Sequence, residues 1–487
     1  MNRIAVTVAA SVGMGTALLL AAGTAAADEA PHSGGAASAA GVSATGIWGT
    51  AQLVTGLGGL NSVSKEAQVV SMSCVSPGNC AAGGLFDATR SQQGFLDTEQ
   101  SGTWGKAAEV PGIRTLAPGG SNLHGVSCST EVCAAAGTYR VTVNATQGEV
   151  WVDSESRGTW AKAEEVPGLA ALDTGGGYPE VNAVSCAGGE CVAGGDYQFN
   201  GSHGAGQGAF LVTLSGETWG NAQRVPGIAV DFSQSASITS VSCMAPGTCT
   251  AGGYRWERNN EQGFVVSETD GTWGRAQAVP GMAALDAGGG GQVTTLSCAS
   301  AGNCVAGGWY RHGGLRGFVV TETGGAWGSA EEVPGLAALN TGKDARVSSV
   351  SCSTAGACAG GGYYTLRGGH VMPFVVSWVG GSWGTAIDVP GLPGTNSDPN
   401  AGVASVSCAG GTCGVGGEYR DHAFVVTQTN GTWGQASNLP GLKKITVSGG
   451  GSGIETVSCA TAANCSAAGS NNAPVAGSST NWAFVTK

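Results

Sequence analysis

Charge is scarce in this chain. Asp, Glu, Lys and Arg together make 11% of its 487 residues, and the scattered 21 Lys and Arg are outnumbered by 33 Asp and Glu. A net charge of -12 excludes nucleic acid and anionic membrane surfaces as main partners, because both are held by Lys and Arg gathered against phosphate. After the N-terminus no apolar run is long enough to cross a bilayer. Histidine is rare, with six residues, and there is no HExxH segment, phosphate loop or Ser-His-Asp order, so the common peptidase, nucleotide and hydrolase templates find no footing. Long helices are excluded too. Glycine, 87 residues, weakens them while supplying tight turns, which points to an all-β protein.

What is present begins with Arg3, an apolar stretch over residues 4–22 and the small residues Ala25, Ala26 and Ala27. Residues 1–27 therefore read as a secretory signal peptide cut near Ala27, the alternative being an uncleaved anchor. No Cys lies near the cut to carry a lipid. The Ser, Gly and Ala runs of 28–45 read as a flexible linker. The expected product is secreted and extracellular, with no transmembrane segment once the signal is removed.

From residue 46 to 487 one phrase recurs. First cysteines at 74, 128, 186, 243, 298, 352, 408 and 459 stand 51 to 58 residues apart, marking eight units. Each has a partner five or six residues on, which uses all 16 cysteines: Cys74-Cys80, Cys128-Cys133, Cys186-Cys191, Cys243-Cys249, Cys298-Cys304, Cys352-Cys358, Cys408-Cys413 and Cys459-Cys465. An even count, one local pair per unit and an exported chain predict a disulfide inside each hairpin, not metal sites, which need further ligands converging on one point. No metal and no cofactor are expected.

Within a unit, "ITSVSC" and "CTAGGY" predict two strands clipped by the disulfide, and "FVVSE" and "TWGRAQAVP" a third and a fourth joined by "TDGT". The Pro of "VPG" confines the fourth strand to an edge. In seven units an aromatic precedes the Trp by nine residues, and Pro follows the Trp by seven. The last unit ends at Lys487 without its Trp strand, whereas 46–54 carries a Trp strand at Trp48 with no aromatic strand before it. Together they complete one unit, as a closed ring requires. The expectation is an eight-bladed β-propeller of four-stranded antiparallel blades, with the N-terminal outer strand completing the last blade. Such a molecule is expected to be a monomer.

Glycine doublets such as Gly252-Gly253, followed by an aromatic and then a Trp with a downstream Pro, resemble kelch-type repeats. Two units depart, with Ala136-Gly137 and Ala468-Gly469. The turn with Ser267, Asp270, Gly271, Thr272 and Trp273 is similar to the Asp-box of sialidase-type propellers, but lacks its spacer between Asp and Gly. The pattern is also similar to secreted repeat proteins of high-GC Gram-positive bacteria. These resemblances imply a fold and no chemistry.

Length varies after the glycine doublet and after "VPG", two segments that propellers place on one face. The loops there open with Tyr139 and Arg140; Tyr197; Tyr254, Arg255 and Trp256; Trp309, Tyr310 and Arg311; Tyr363 and Tyr364; and Tyr419 and Arg420. Rings that stack on sugars beside guanidinium donors predict multivalent binding of a glycan or cell-envelope polymer, or of a protein ligand. The competing expectation is that these rings pack the strand ends. A polysaccharide hydrolase or lyase would draw on Glu257, Glu418 and Asp421, or on Asp87 and Asp196, as acid and nucleophile. His203, His312, His370 and His422 lie in the same loops. The sequence favours a non-catalytic binder over an enzyme or a protein scaffold.

Overall fold

The computed structural model describes residues 47–60, 66–88, 91–143, 147–201, 204–229, 235–257, 260–354, 357–394, 401–475 and 478–487. They belong to one compact unit, Ser43–Lys487. The signal peptide and linker expected at 1–45 lie outside the described residues.

Eight antiparallel sheets follow one another, as the periodicity predicts. The fourth is typical: Ala236–Ala245 innermost, then Thr248–Glu257, Asn260–Thr269 and an outer strand. In each sheet the two cysteines stand opposite one another, and all eight disulfides form across Cα distances of 3.9 to 4.1 Å. Eight bridges and no free thiol fit an extracellular or otherwise oxidising environment. No helix among the described residues is long and apolar enough to cross a membrane.

The ring closes as the terminal fragments imply. Ala51–Leu53 pairs with the third strand of the eighth sheet, Ala51 opposite Thr486 and Leu53 opposite Phe484. Lys487 and Thr50 exchange both backbone hydrogen bonds, at 3.0 and 3.1 Å. Trp48 lies beyond the end of that strand, bridges to Cys465 and donates its indole N–H to Thr427 Oγ1 at 3.1 Å.

The outer strand differs from expectation. "TWGRAQAVP" forms two short pieces, Thr272–Trp273 and Gln277–Ala278, both paired to the third strand. Between them the Ala276 N–H donates to the carbonyl of Pro226 in the preceding blade at 2.8 Å. The same clasp recurs at every joint, from Ala51 to Pro440 (2.7 Å) round to Ala436 and Pro390 (2.6 Å), with Thr55 taking the place of Pro against Ala107. The strand breaks because one N–H is lent to the neighbour. The segment after "VPG" also holds short helical turns, such as Leu169–Leu172 and Leu336–Leu339, each entered through a left-handed Gly and each burying its first Leu. Four residues are too few to show a helical period in the sequence.

A second ring of contacts lies near the axis. The Ser before each first Cys accepts the backbone N–H of the next blade's Cys, as in Cys128 to Ser73 (3.0 Å) and Cys243 to Ser185 (3.0 Å). Cys74 to Ser458 (2.9 Å) completes it. The "TWG" tryptophans fill the joints: Trp104 is buried against the last blade and donates to the Thr486 carbonyl at 2.8 Å.

Candidate functional site

Antiparallel order puts the disulfide hairpins and the "DGTW" turns on one face and the variable loops on the other. On the loop face, placement is decided by the second Gly of each doublet. A Cβ at Gly195 would stand 1.8 Å from the Glu180 carbonyl oxygen, and one at Gly469 would stand 2.1 Å from that of Gly453. That oxygen belongs to an inner strand that bulges at this level in every blade, as between Val181 and Ala183. Only Gly fits. The first Gly instead meets side chains of the next blade, such as Leu123 Cδ1 2.6 Å from a Cβ at Gly83, and this softer contact explains the Ala136 and Ala468 departures.

Two residues past the second Gly the side chain returns to the same face. There Tyr139, Tyr197, Tyr310, Tyr364 and Tyr419 are 0 to 4% exposed. Four of their hydroxyls are committed. Tyr364 donates to Asp388 Oδ1 at 2.5 Å, while Tyr139 bonds Glu165 and Tyr310 bonds Glu332. Tyr419 donates to the Pro393 carbonyl at 2.9 Å and also to Gly394. Tyr197 has no hydroxyl partner among the described residues, but the Arg224 guanidinium lies 5.9 Å from its ring centre. Burial, and for Tyr139, Tyr310 and Tyr364 a neighbouring carboxylate, drives the phenol pKa values of Tyr139, Tyr197, Tyr310 and Tyr364 up. The five rings are therefore part of the interior.

The other expected binding residues divide by position. Arg140, Arg311 and Arg420 are exposed, Trp256 is 40% exposed, and Tyr254, Arg255 and Tyr363 are half-buried. Trp309 is buried, donates to Gln292 Oε1 at 3.0 Å and has the guanidiniums of Arg311 and Arg346 at 5.0 and 5.5 Å from its ring centre. Asp196 is buried and accepts from Ser237 Oγ at 2.9 Å; burial pushes its carboxyl up to about 7 against the pull of hydrogen bonds from Gln207 and Ser237. Asp87 is half-buried at a strand end. Glu418 and Asp421 line one shallow cavity of about 430 Å³ with Ser452, Ser470 and Asn472. The Glu257 side chain and His203 lie outside the described residues. His312 and His422 are exposed and His370 is half-buried.

A cleft of about 610 Å³ on this face is shared by the first three blades. Ser91 and Gln92 come from the first; Asn122, His124, Thr138, Arg140 and Val143 from the second; Tyr178 and Glu180 from the third. Tyr178 is 43% exposed and Val143 48%, giving the cleft an apolar lip, and the Arg140 guanidinium lies 5.6 Å from the Tyr178 ring centre. His124 bonds Thr138 Oγ1 at 3.1 Å. His124 is exposed at the cleft, and partial loss of water around its ring lowers its pKa from the usual imidazole value against the opposing effect of Glu180. Arg140 and Tyr139, which also lines the cleft, were legible in the sequence. Tyr178, His124 and Glu180 were not, although Tyr178 stands in the variable run "GGGYPE".

No protein-family model matches this chain, and no curated protein matches it. Among solved structures, a Chaetomium thermophilum protein bound to the N-terminus of a ribosomal protein is similar over 84% of this chain and 97% of its own, at 12% identity and a TM-score of 0.46. The β-propeller domain of the trilobed protease of Pyrococcus furiosus, described as having an open velcro topology, is similar over 77% and 98% (9% identity, TM-score 0.42). A fucose-specific lectin of Aleuria aurantia is similar over 68% and 97% (13%, 0.33).

Proposed function

We propose that this protein is a secreted, non-catalytic recognition module of kelch-like repeat type that binds a glycan or cell-envelope polymer through its loop face. The observation that carries the reading is the 610 Å³ cleft with the half-exposed Tyr178 ring on its lip and the Arg140 guanidinium over that ring. A half-exposed ring offers an apolar face to the C–H side of a sugar, and the surrounding Asn122, Thr138, Ser91, Gln92 and His124 offer hydroxyl, amide and imidazole partners. Trp256, Arg311 and Arg420 form weaker satellite contacts around the same face, so binding is multivalent but unequal from blade to blade. A glycan array followed by calorimetry tests this. Tyr178→Ala and Arg140→Ala should each weaken the best ligand about tenfold or more without lowering the melting temperature. Unchanged affinity in both variants removes the cleft from the binding surface.

A second reading, a polysaccharide hydrolase or lyase, rests on Glu418 and Asp421 sharing one cavity. Turnover of a polysaccharide that is lost in Glu418→Gln would establish it over the first.

A further inference from the structure

On the disulfide face, among the described residues, the carboxylates of Glu190 and Glu268 converge across the joint between the third and fourth blades. Glu190 opens the second strand of the third blade directly after its hairpin turn, where "GGECV" puts an acid before the second Cys; no other unit has one there. Its Oε1 accepts the Gly247 N–H of the fourth blade at 2.7 Å, which fixes the side chain across the joint. Glu268, on the third strand of the fourth blade, is 4% exposed, and its Oε2 has no hydrogen-bond partner among the described residues. Oxygen atoms of the two carboxylates lie within 4.8 Å of each other.

A buried carboxylate without a partner is costly, and a second carboxylate beside it raises the cost. Two oxygens bound to one calcium at about 2.3–2.6 Å each stand no more than about 5 Å apart. The two glutamates meet that limit. Cys249 Sγ belongs to the same cluster but is bonded to Cys243, so it offers no thiolate. The donors that remain are hard oxygens, which select calcium or magnesium over zinc. The equivalent residue of the fifth blade, Glu322, is also buried with an unpartnered Oε2, but Thr248 stands where Glu190 would be. One blade thus supplies an internal control for the other.

We propose that Glu190 and Glu268 hold a divalent hard cation, calcium in an extracellular setting, that ties the third blade to the fourth. Trp273 stands opposite Glu268 in the sheet register, close enough to sensitise a bound lanthanide. Terbium added to the EDTA-treated full chain should give emission on excitation of tryptophan, and calcium should displace it. Millimolar calcium should raise the melting temperature. Glu268→Gln and Glu190→Gln should each weaken terbium binding at least tenfold and remove the calcium response, whereas Glu322→Gln should retain both. Glu190 is half-buried at a strand end, so its variant keeps the test sound if Glu268→Gln folds poorly. Absence of terbium emission together with an unchanged melting temperature in calcium overturns the site, as does full binding in both glutamine variants.

Discussion

At the scale of single residues, the chain uses one side chain for two different ends. A tyrosine two positions past the second Gly is a core residue whose hydroxyl reaches an acid in its own blade's outer strand: Tyr139 with Glu165, Tyr310 with Glu332, Tyr364 with Asp388. Removing the ring leaves a cavity, so Tyr310→Ala should cost about 3–5 kcal/mol in thermal or denaturant unfolding. Tyr364→Phe should cost about 1 kcal/mol, because Asp388 is exposed and water takes the lost bond. Asp153 is a different case. It occupies a position that is Val212 or Val266 in other blades, is buried, and accepts the Ser154 N–H at 2.8 Å through one oxygen while the other has no partner among the described residues. Burial pushes its carboxyl up to about 7 from 3.8. The folded state holds this proton more tightly than the unfolded chain, so stability falls as pH rises from about 4 through 7. Asp153→Asn cannot ionise and should melt higher than the parent at pH 8, by the equivalent of about 2 kcal/mol, with little difference at pH 4. Equal melting curves at both values would place the Asp153 charge in solvent.

At the scale of elements, the repeat is held together by backbone donors lent from blade to blade. Ser297 Oγ accepts the Cys352 N–H at 3.1 Å. Ser297→Ala should therefore lower stability by about 1–2 kcal/mol, measured by denaturant unfolding, since that half-buried N–H loses its partner. At the doublets, Gly253→Ala should prevent folding, because a Cβ there would lie 1.9 Å from the Ser237 carbonyl oxygen, whereas Gly252 meets the Val293 side chain of the next blade at 2.8 Å rather than backbone. Strand number, hairpin disulfides and register were legible because each rests on local chemistry: a Cys pair five or six residues apart, a turn that needs positive φ, a Pro that cannot donate. The split of the outer strand was not legible, since the partner of Ala276 is in another blade. The burial of the tyrosines had a signal, a period of two counted from the obligatory Gly, joined to an acid just before "VPG". The cleft had almost none. Its residues come from three blades at different offsets within the repeat, so no single unit displays the site.

At the scale of the whole molecule, eight similar sheets leave no free edge only if the last is completed by Ala51–Leu53. That segment covers Phe484, which is fully buried, takes the last place in the outer clasp through Ala51 and Pro440, and is anchored by Trp48. Without it the third strand of the eighth blade, Ser478–Thr486, becomes an exposed sheet edge carrying unpaired N–H and C=O groups, a template for association with another chain. The loss reaches further than three residues, because Cys74 of the first blade draws its acceptor, Ser458, from the sheet that would loosen. A chain starting after Val54 should thus melt well below the parent, unfold over a broader range as the end blades separate first, and associate in a concentration-dependent way. A synthetic peptide of residues 47–56, added in excess during refolding, should restore a sharp transition and a single monomeric species, while the same peptide with Trp48 and Leu53 changed to Ala should restore less. A truncated chain that melts like the parent without any peptide would mean that the inner serine ring and the blade joints hold the circle closed on their own.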